Sequence, residues 1–155
     1  MAGSGKTTIG EMLASRLNKS FIDSDRVIED KFEMSLQHIL EKYGYLRLIE
    51  IEAEVLKNIF MNGAVLATGG SSIYNSKAIE HIAKQSKLIY LHVSLPEILN
   101  RVGSFENRGF AKHPNQSIKN VFEEREVLYE KYADIIIQNN HSAESSVQEI
   151  IRLLE

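Results

Sequence analysis

The chain has 155 residues, 43% of them hydrophobic and 25% charged, with a net charge of −3. That length suits one domain with its own core, and the near-neutral balance gives no reason to expect a nucleic acid or a membrane as partner. There is no cysteine, which excludes a disulfide scaffold, a thiolate metal site and a cysteine nucleophile, and no segment approaches the ~18 apolar residues of a bilayer span.

Met1 to Lys6 has no apolar stretch of the signal-peptide kind, so a cytoplasmic protein is expected. The periodicities predict a helix over 7–17, a short strand over 20–23, and helices over 26–32 and 36–43, the latter with Ser35 as N-cap. Gly44 punctuates, and a longer helix runs over 46–61, with Leu48, Ile51, Val55 and Ile59 as one apolar stripe and Glu50, Glu54 and Lys57 on the wet side. A strand over 64–67 ends at Thr68-Gly69-Gly70. A helix over 77–84, a strand over 88–93 and a helix over 95–102 with Pro96 in its first turn come next. Residues 103–116 read as a polar loop, followed by a helix over 117–132, a strand over 135–137 and a helix over 142–154. Strands alternating with helices predict an α/β fold, a parallel sheet covered on both faces as a single domain over 1–155.

Gly5-Lys6-Thr7 ends a phosphate-binding loop of the type G-x-x-x-x-G-K-[ST], and a helical pattern follows at once. Small residues at Ala2, Gly3, Ser4 and Gly5 let backbone N–H groups converge on phosphate. Lys6 would neutralise the β- and γ-phosphates of ATP, the Thr7 hydroxyl would coordinate Mg²⁺, and Thr8 completes the nucleotide-binding set. The pattern's first glycine would fall one place before Met1, and the strand that feeds such a loop before that. The sheet is therefore expected to lack its first, central strand, and the natural product is expected to begin upstream. Asp23 and Asp25 close the first visible strand, where open α/β sheets bind ligands. One could hold Mg²⁺ through water, the other a substrate hydroxyl.

Taken together, Gly3-Ser4-Gly5-Lys6-Thr7, Asp23-Ser24-Asp25, Ala67-Thr68-Gly69-Gly70, Arg101, Arg108, Arg125 with Leu128-Tyr129, and Ala133-Asp134 resemble the shikimate kinase family over essentially the whole chain. The resemblance implies a small P-loop kinase of three-layer fold, acting as a monomer, that moves the γ-phosphoryl group of ATP to the 3-hydroxyl of shikimate with Mg²⁺. It places Asp23 near the metal and Asp25 on the substrate diol. Gly69 and Gly70 would allow close backbone approach, and Arg101 would lie near the adenine. Arg108 would be the arginine of a lid over about 103–117, and Arg125 would grip the substrate carboxylate.

The acceptor side departs from that pattern. The family has a second carboxylate-clamping arginine at the start of the long helix. Aligned without gaps it falls on Ile49, with the family's glutamate on Glu52; a two-residue deletion would instead bring Arg47 into its place. The gapless register is preferred and loses the clamp. The family's third glycine is Ser71, and the lid runs Arg108-Gly109-Phe110-Ala111. Two other readings stand beside the kinase: a nucleotide-binding regulatory module of weak activity, and a nucleoside monophosphate kinase, for which arginines are too few. The five histidines are scattered without metal-ligand spacing, and His92 is expected in the core or at a strand end.

Overall fold

The computed structural model describes residues 1–155. In chain order the elements are α1 (Lys6–Arg16), β1 (Phe21–Asp23), α2 (Ser24–Phe32), α3 (Leu36–Asn58), β2 (Val65–Ala67), a 3₁₀ turn (Gly70–Tyr74), α4 (Ser76–Ala83), β3 (Ile89–His92), α5 (Leu95–Val102), α6 (Ile118–Tyr132), β4 (Ile135–Gln138) and α7 (Ala143–Leu154). Helix starts carry the expected caps: the side chains of Ser35, Asn75, Ser117 and Ser142 each accept a backbone N–H of the first turn. The two helices expected around Gly44 are both present within the α3 range and meet there at a kink. Gly44 sits at the kink with φ 83° and ψ 166°, a break that glycine takes at low steric cost.

Strand pairing is parallel throughout, but the sheet is in two halves. β1 pairs with β2, with Phe21 opposite Val65, and β3 pairs with β4, with Ile89 opposite Ile135. No ladder joins β2 to β3. A trough of about 360 Å³ runs between the two halves. Its walls include Val65, Leu66, Ile89 and Leu91, and Leu13 of α1 lines it too.

Alternation along the strands sorts side chains to two faces and sets three layers. Val65, Leu91 and Ile137 join Ile9 and Leu13 of α1 and Val147 and Ile150 of α7. On the other face Leu66 and Leu88 meet Ala53 and Leu56 of α3, Ile79 of α4 and Leu128 of α6. A third cluster packs α2 on α3 through Ile28, Ile39, Leu48 and Ile51. The fourth seats the loop after α5, with Phe110 against Val102, Val121 and Phe122. As expected, Leu48, Ile51 and Val55 point inward. His92 is the last residue of β3, bonded to Gln138 and Glu126 away from the loop.

Candidate active site

The loop before α1 is shaped by two glycines in the left-handed region, Gly3 at φ 76° and Gly5 at φ 83°. Gly5 caps α1 with no side-chain acceptor, so the first N–H groups of that helix remain available to an anion. The loop closes on the Met1 carbonyl, which accepts from the Ser4 hydroxyl at 2.8 Å and from the Lys6 ammonium at 2.7 Å. Burial lowers the Lys6 pKa, and the nearby Asp25 carboxylate opposes that shift. Asn139, at the end of β4, holds the loop from below by donating to the Ser4 carbonyl at 2.7 Å. Arg101 donates to the Asn139 carbonyl at 2.9 Å and to Glu97 at 2.7 Å. It therefore stands one residue removed from the loop, on the α5 side. Thr8 is exposed on the first turn of α1.

β1 ends at Asp23, whereas Asp25, expected to close the same strand, lies in the first turn of α2 because Asp23 caps that helix. The Thr7 hydroxyl donates to Asp23 Oδ2 at 2.9 Å, while Asp23 Oδ1 accepts the Asp25 N–H and caps α2. A hydroxyl and a carboxylate held this close, beside a phosphate-binding loop, suit Mg²⁺, which takes one or two protein oxygens and completes its shell with phosphate and water. Ser24, between the acids, is buried and accepts the Gly69 N–H at 2.9 Å, tying the end of β1 to the end of β2.

Asp25 faces a small polar cavity of about 60 Å³, with Lys6, Glu52, Ser71, Arg108 and Arg125 also lining it. Three buried oxygens around it have no hydrogen-bond partner: Asp25 Oδ1, Glu52 Oε2 and Ser71 Oγ. Burial pushes Asp25 up to about 6, against the pull of Lys6. Burial likewise pushes Glu52 up to about 7, opposed by the adjacent Ser71 hydroxyl. Unpaired buried polar atoms are costly unless a ligand completes them. Gly69 is required here: a Cβ on it would stand 2.7 Å from Glu52 Cδ and 2.8 Å from Asp25 Oδ1. Gly70 is covered by the Tyr129 hydroxyl, which donates to its carbonyl at 2.7 Å.

Arg125 is 1% exposed, the largest wholly buried side chain of the protein. Its Nη2 donates to the Ala111 carbonyl, its Nε donates to the Tyr74 hydroxyl at 3.3 Å, and its Nη1 lies against Gly70. Arg108 enters the cavity wall from the loop over 103–117, which is docked down: Gly109 N–H donates to Gln37 of α3 at 3.0 Å. Lys112 turns back to the carbonyls of His113 and Pro114 and does not reach the cavity wall.

The geometry also decides between the two registers of α3. Glu52 is 4% exposed and in the cavity wall. Arg47 points outward and pairs with Glu50 and Glu54, both at 2.9 Å, and Ile49 packs on the α2–α3 cluster. The cavity thus receives an acid but no cation from α3. Of the residues singled out from the sequence, Lys6, Asp25, Gly70, Arg108 and Arg125 come together at the cavity; Glu52, Tyr74, Phe110 and Asn139 are given no role from the sequence. Glu52 carried a visible signal, since it stands four residues from both Leu48 and Leu56 on a buried helix face.

Comparison with known proteins returns one family. The shikimate kinase family profile matches residues 2–155. Shikimate kinase of Sulfurihydrogenibium sp. is 35% identical over 150 residues, covering 96% of this chain and 90% of that protein. That of Aquifex aeolicus is 33% identical over 153 residues, covering 98% and 90%. Among solved structures, shikimate kinase from Acinetobacter baumannii in complex with shikimate superposes with a TM-score of 0.87 at 30% identity, covering 98% of this chain and 87% of that one. The crystal structure of the Aquifex aeolicus enzyme superposes at 0.85 with 32% identity, covering 99% and 92%.

Proposed function

Since this chain belongs to the shikimate kinase family, we propose that it transfers the γ-phosphoryl group of ATP to the 3-hydroxyl of shikimate, with Mg²⁺. The observation that carries the reading is the convergence of Lys6, Asp25, Arg108 and Arg125 on one small polar cavity beside an uncapped helix start.

In this reading the Gly3–Thr7 loop and Lys6 hold the phosphates of ATP, and Thr7 with Asp23 hold the metal. Bound there, Mg²⁺ would neutralise charge on the phosphate oxygens. Arg125 orients the acceptor through its carboxylate. Asp25 accepts the proton of the reacting hydroxyl, and a pKa of about 6 suits a base working near neutrality. The acceptor oxygen bonds to the γ-phosphorus as the bond from that phosphorus to the β–γ bridging oxygen breaks, leaving ADP. Lys6 and Arg108 stabilise charge on the phosphoryl group in transit. The loop over 103–117, docked on α3 through Gly109 and Gln37, would limit the access of water to the reacting groups. The proposed working form is a cytoplasmic monomer.

The test is ADP release from ATP and Mg²⁺ with and without shikimate. Release that depends on shikimate is expected. Stimulation by a different hydroxy acid alone would reassign the acceptor, and no stimulation by either would refute the kinase reading.

A further inference from the structure

Arg125 is a buried cation with no carboxylate paired to it. What surrounds the guanidinium is aromatic. Its carbon lies 4.8 Å from the centre of the Phe110 ring and 5.3 Å from that of the Tyr74 ring, both within cation–π range. Two of its three nitrogens are engaged, Nη2 by the Ala111 carbonyl and Nε by the Tyr74 hydroxyl. The remaining one, Nη1, is on the cavity side against Gly70. Phe110 itself is 9% exposed and anchored in the cluster of Val102, Val121 and Phe122, so its ring is fixed from behind.

We infer that Phe110 is a positioning residue for recognition of the acceptor carboxylate: its ring holds the lone Arg125 guanidinium with Nη1 presented to the cavity. This rests on the reading of Arg125 as the group that binds the acceptor's acid. With Lys6 and Arg108 assigned to the phosphoryl group, Arg125 is the cation left to orient the acceptor, because α3 sends none into the cavity and Arg47 is paired with Glu50 and Glu54 outside it. A free guanidinium on a three-carbon stem would lose that orientation to rotamer freedom. The aromatic ring removes the freedom without neutralising the charge, whereas a carboxylate in the same place would compete with the ligand. The adjacent Gly109 lets the segment come this close. It takes φ 60°, and a Cβ on it would stand 2.4 Å from Leu36 Cβ.

The test compares shikimate with its carboxamide, which lacks the charge, in the wild type, Phe110→Leu and Phe110→Tyr. Leucine keeps an apolar side chain in the cluster and removes the ring; tyrosine keeps the ring. From the usual strength of a desolvated cation–π contact, Phe110→Leu is expected to raise KM for shikimate about 5- to 30-fold. KM for ATP should be unchanged, which also reports an intact fold. The preference in kcat/KM for the acid over the amide should fall by the same factor and return in Phe110→Tyr. If Phe110→Leu slows acid and amide equally, or changes neither, the positioning role is overturned. A wild type that turns over acid and amide alike would instead overturn the placement of Arg125 on the carboxylate, and this inference with it.

Discussion

Glu52→Gln makes a sharp test of the cavity's electrostatics. Glu52 is 4% exposed, and burial raises its pKa from 4.5 to about 7. A group whose pKa is raised on folding favours the fold while it is protonated. That contribution is complete below 4.5, and is lost as pH rises through about 7, because the folded protein must then carry a buried charge. At ~1.4 kcal/mol per pKa unit the full penalty is roughly 3 kcal/mol, of which about 2 kcal/mol falls between pH 5.5 and pH 8. Glutamine is nearly the same shape and does not titrate. The variant should therefore gain on the wild type by about 2 kcal/mol over that interval. Urea denaturation at both pH values measures it, as a shift of about 1 M in the midpoint difference. Asp25, also raised by burial, titrates in both proteins, so the difference between them reports mainly Glu52. Wild type and variant losing stability in parallel from pH 5.5 to pH 8 would show that Glu52 is ionised in the fold, and the argument from burial would be wrong.

Three further outcomes follow from the same geometry. In Gly69→Ala the backbone is tolerant, at φ −56°, but the methyl group meets both Glu52 and Asp25; kcat/KM for the acceptor should drop on the order of 100-fold with nucleotide affinity retained, and a variant keeping half its activity would refute the packing. Thr7→Val keeps the shape and removes the hydroxyl beside Asp23; the Mg²⁺ concentration for half-maximal turnover should rise about 10- to 100-fold, and an unchanged titration would remove Thr7 from the metal site. Arg47→Ala touches only exposed ion pairs; KM for the acceptor should stay within about twofold, and a large rise would bring Arg47 into the site after all.

The parts of the fold readable in the sequence are those whose signal is local. Gly3-Ser4-Gly5-Lys6-Thr7 announces a phosphate loop because its chemistry needs consecutive small residues, and Asp23 follows from its place at a strand end, with Asp25 in the helical turn just after it. The α3 stripe gave the buried helix face. What was not readable depends on contacts between distant segments. The 3₁₀ turn at Gly70–Tyr74 has no periodicity of its own and is held by Ser72 donating to the Gly69 carbonyl and by Tyr129 reaching Gly70 from α6. Arg125 could be seen as unpaired along its own helix, yet its rings and carbonyl come from residues 14 to 51 positions away. The choice between Arg47 and Ile49 hinged on a two-residue register, and only the outward direction of Arg47 decides it.

The divided sheet makes the stability of this polypeptide a question of mass action. The trough is open to solvent, so apolar side chains along it, Val65, Leu66, Ile89 and Leu91 among them, lose burial that a filled core would give them. The edges of β2 and β3 that face the trough carry no ladder partners. An extended apolar segment entering between them could bond to both edges at once, where an ordinary sheet edge offers only one row. Folding is then linked to occupancy: stability grows with the logarithm of the concentration of whatever strand fits, and a strand tethered nearby acts at a high effective concentration. With nothing to fit, the same two edges recruit each other across molecules, and the fold competes with aggregation.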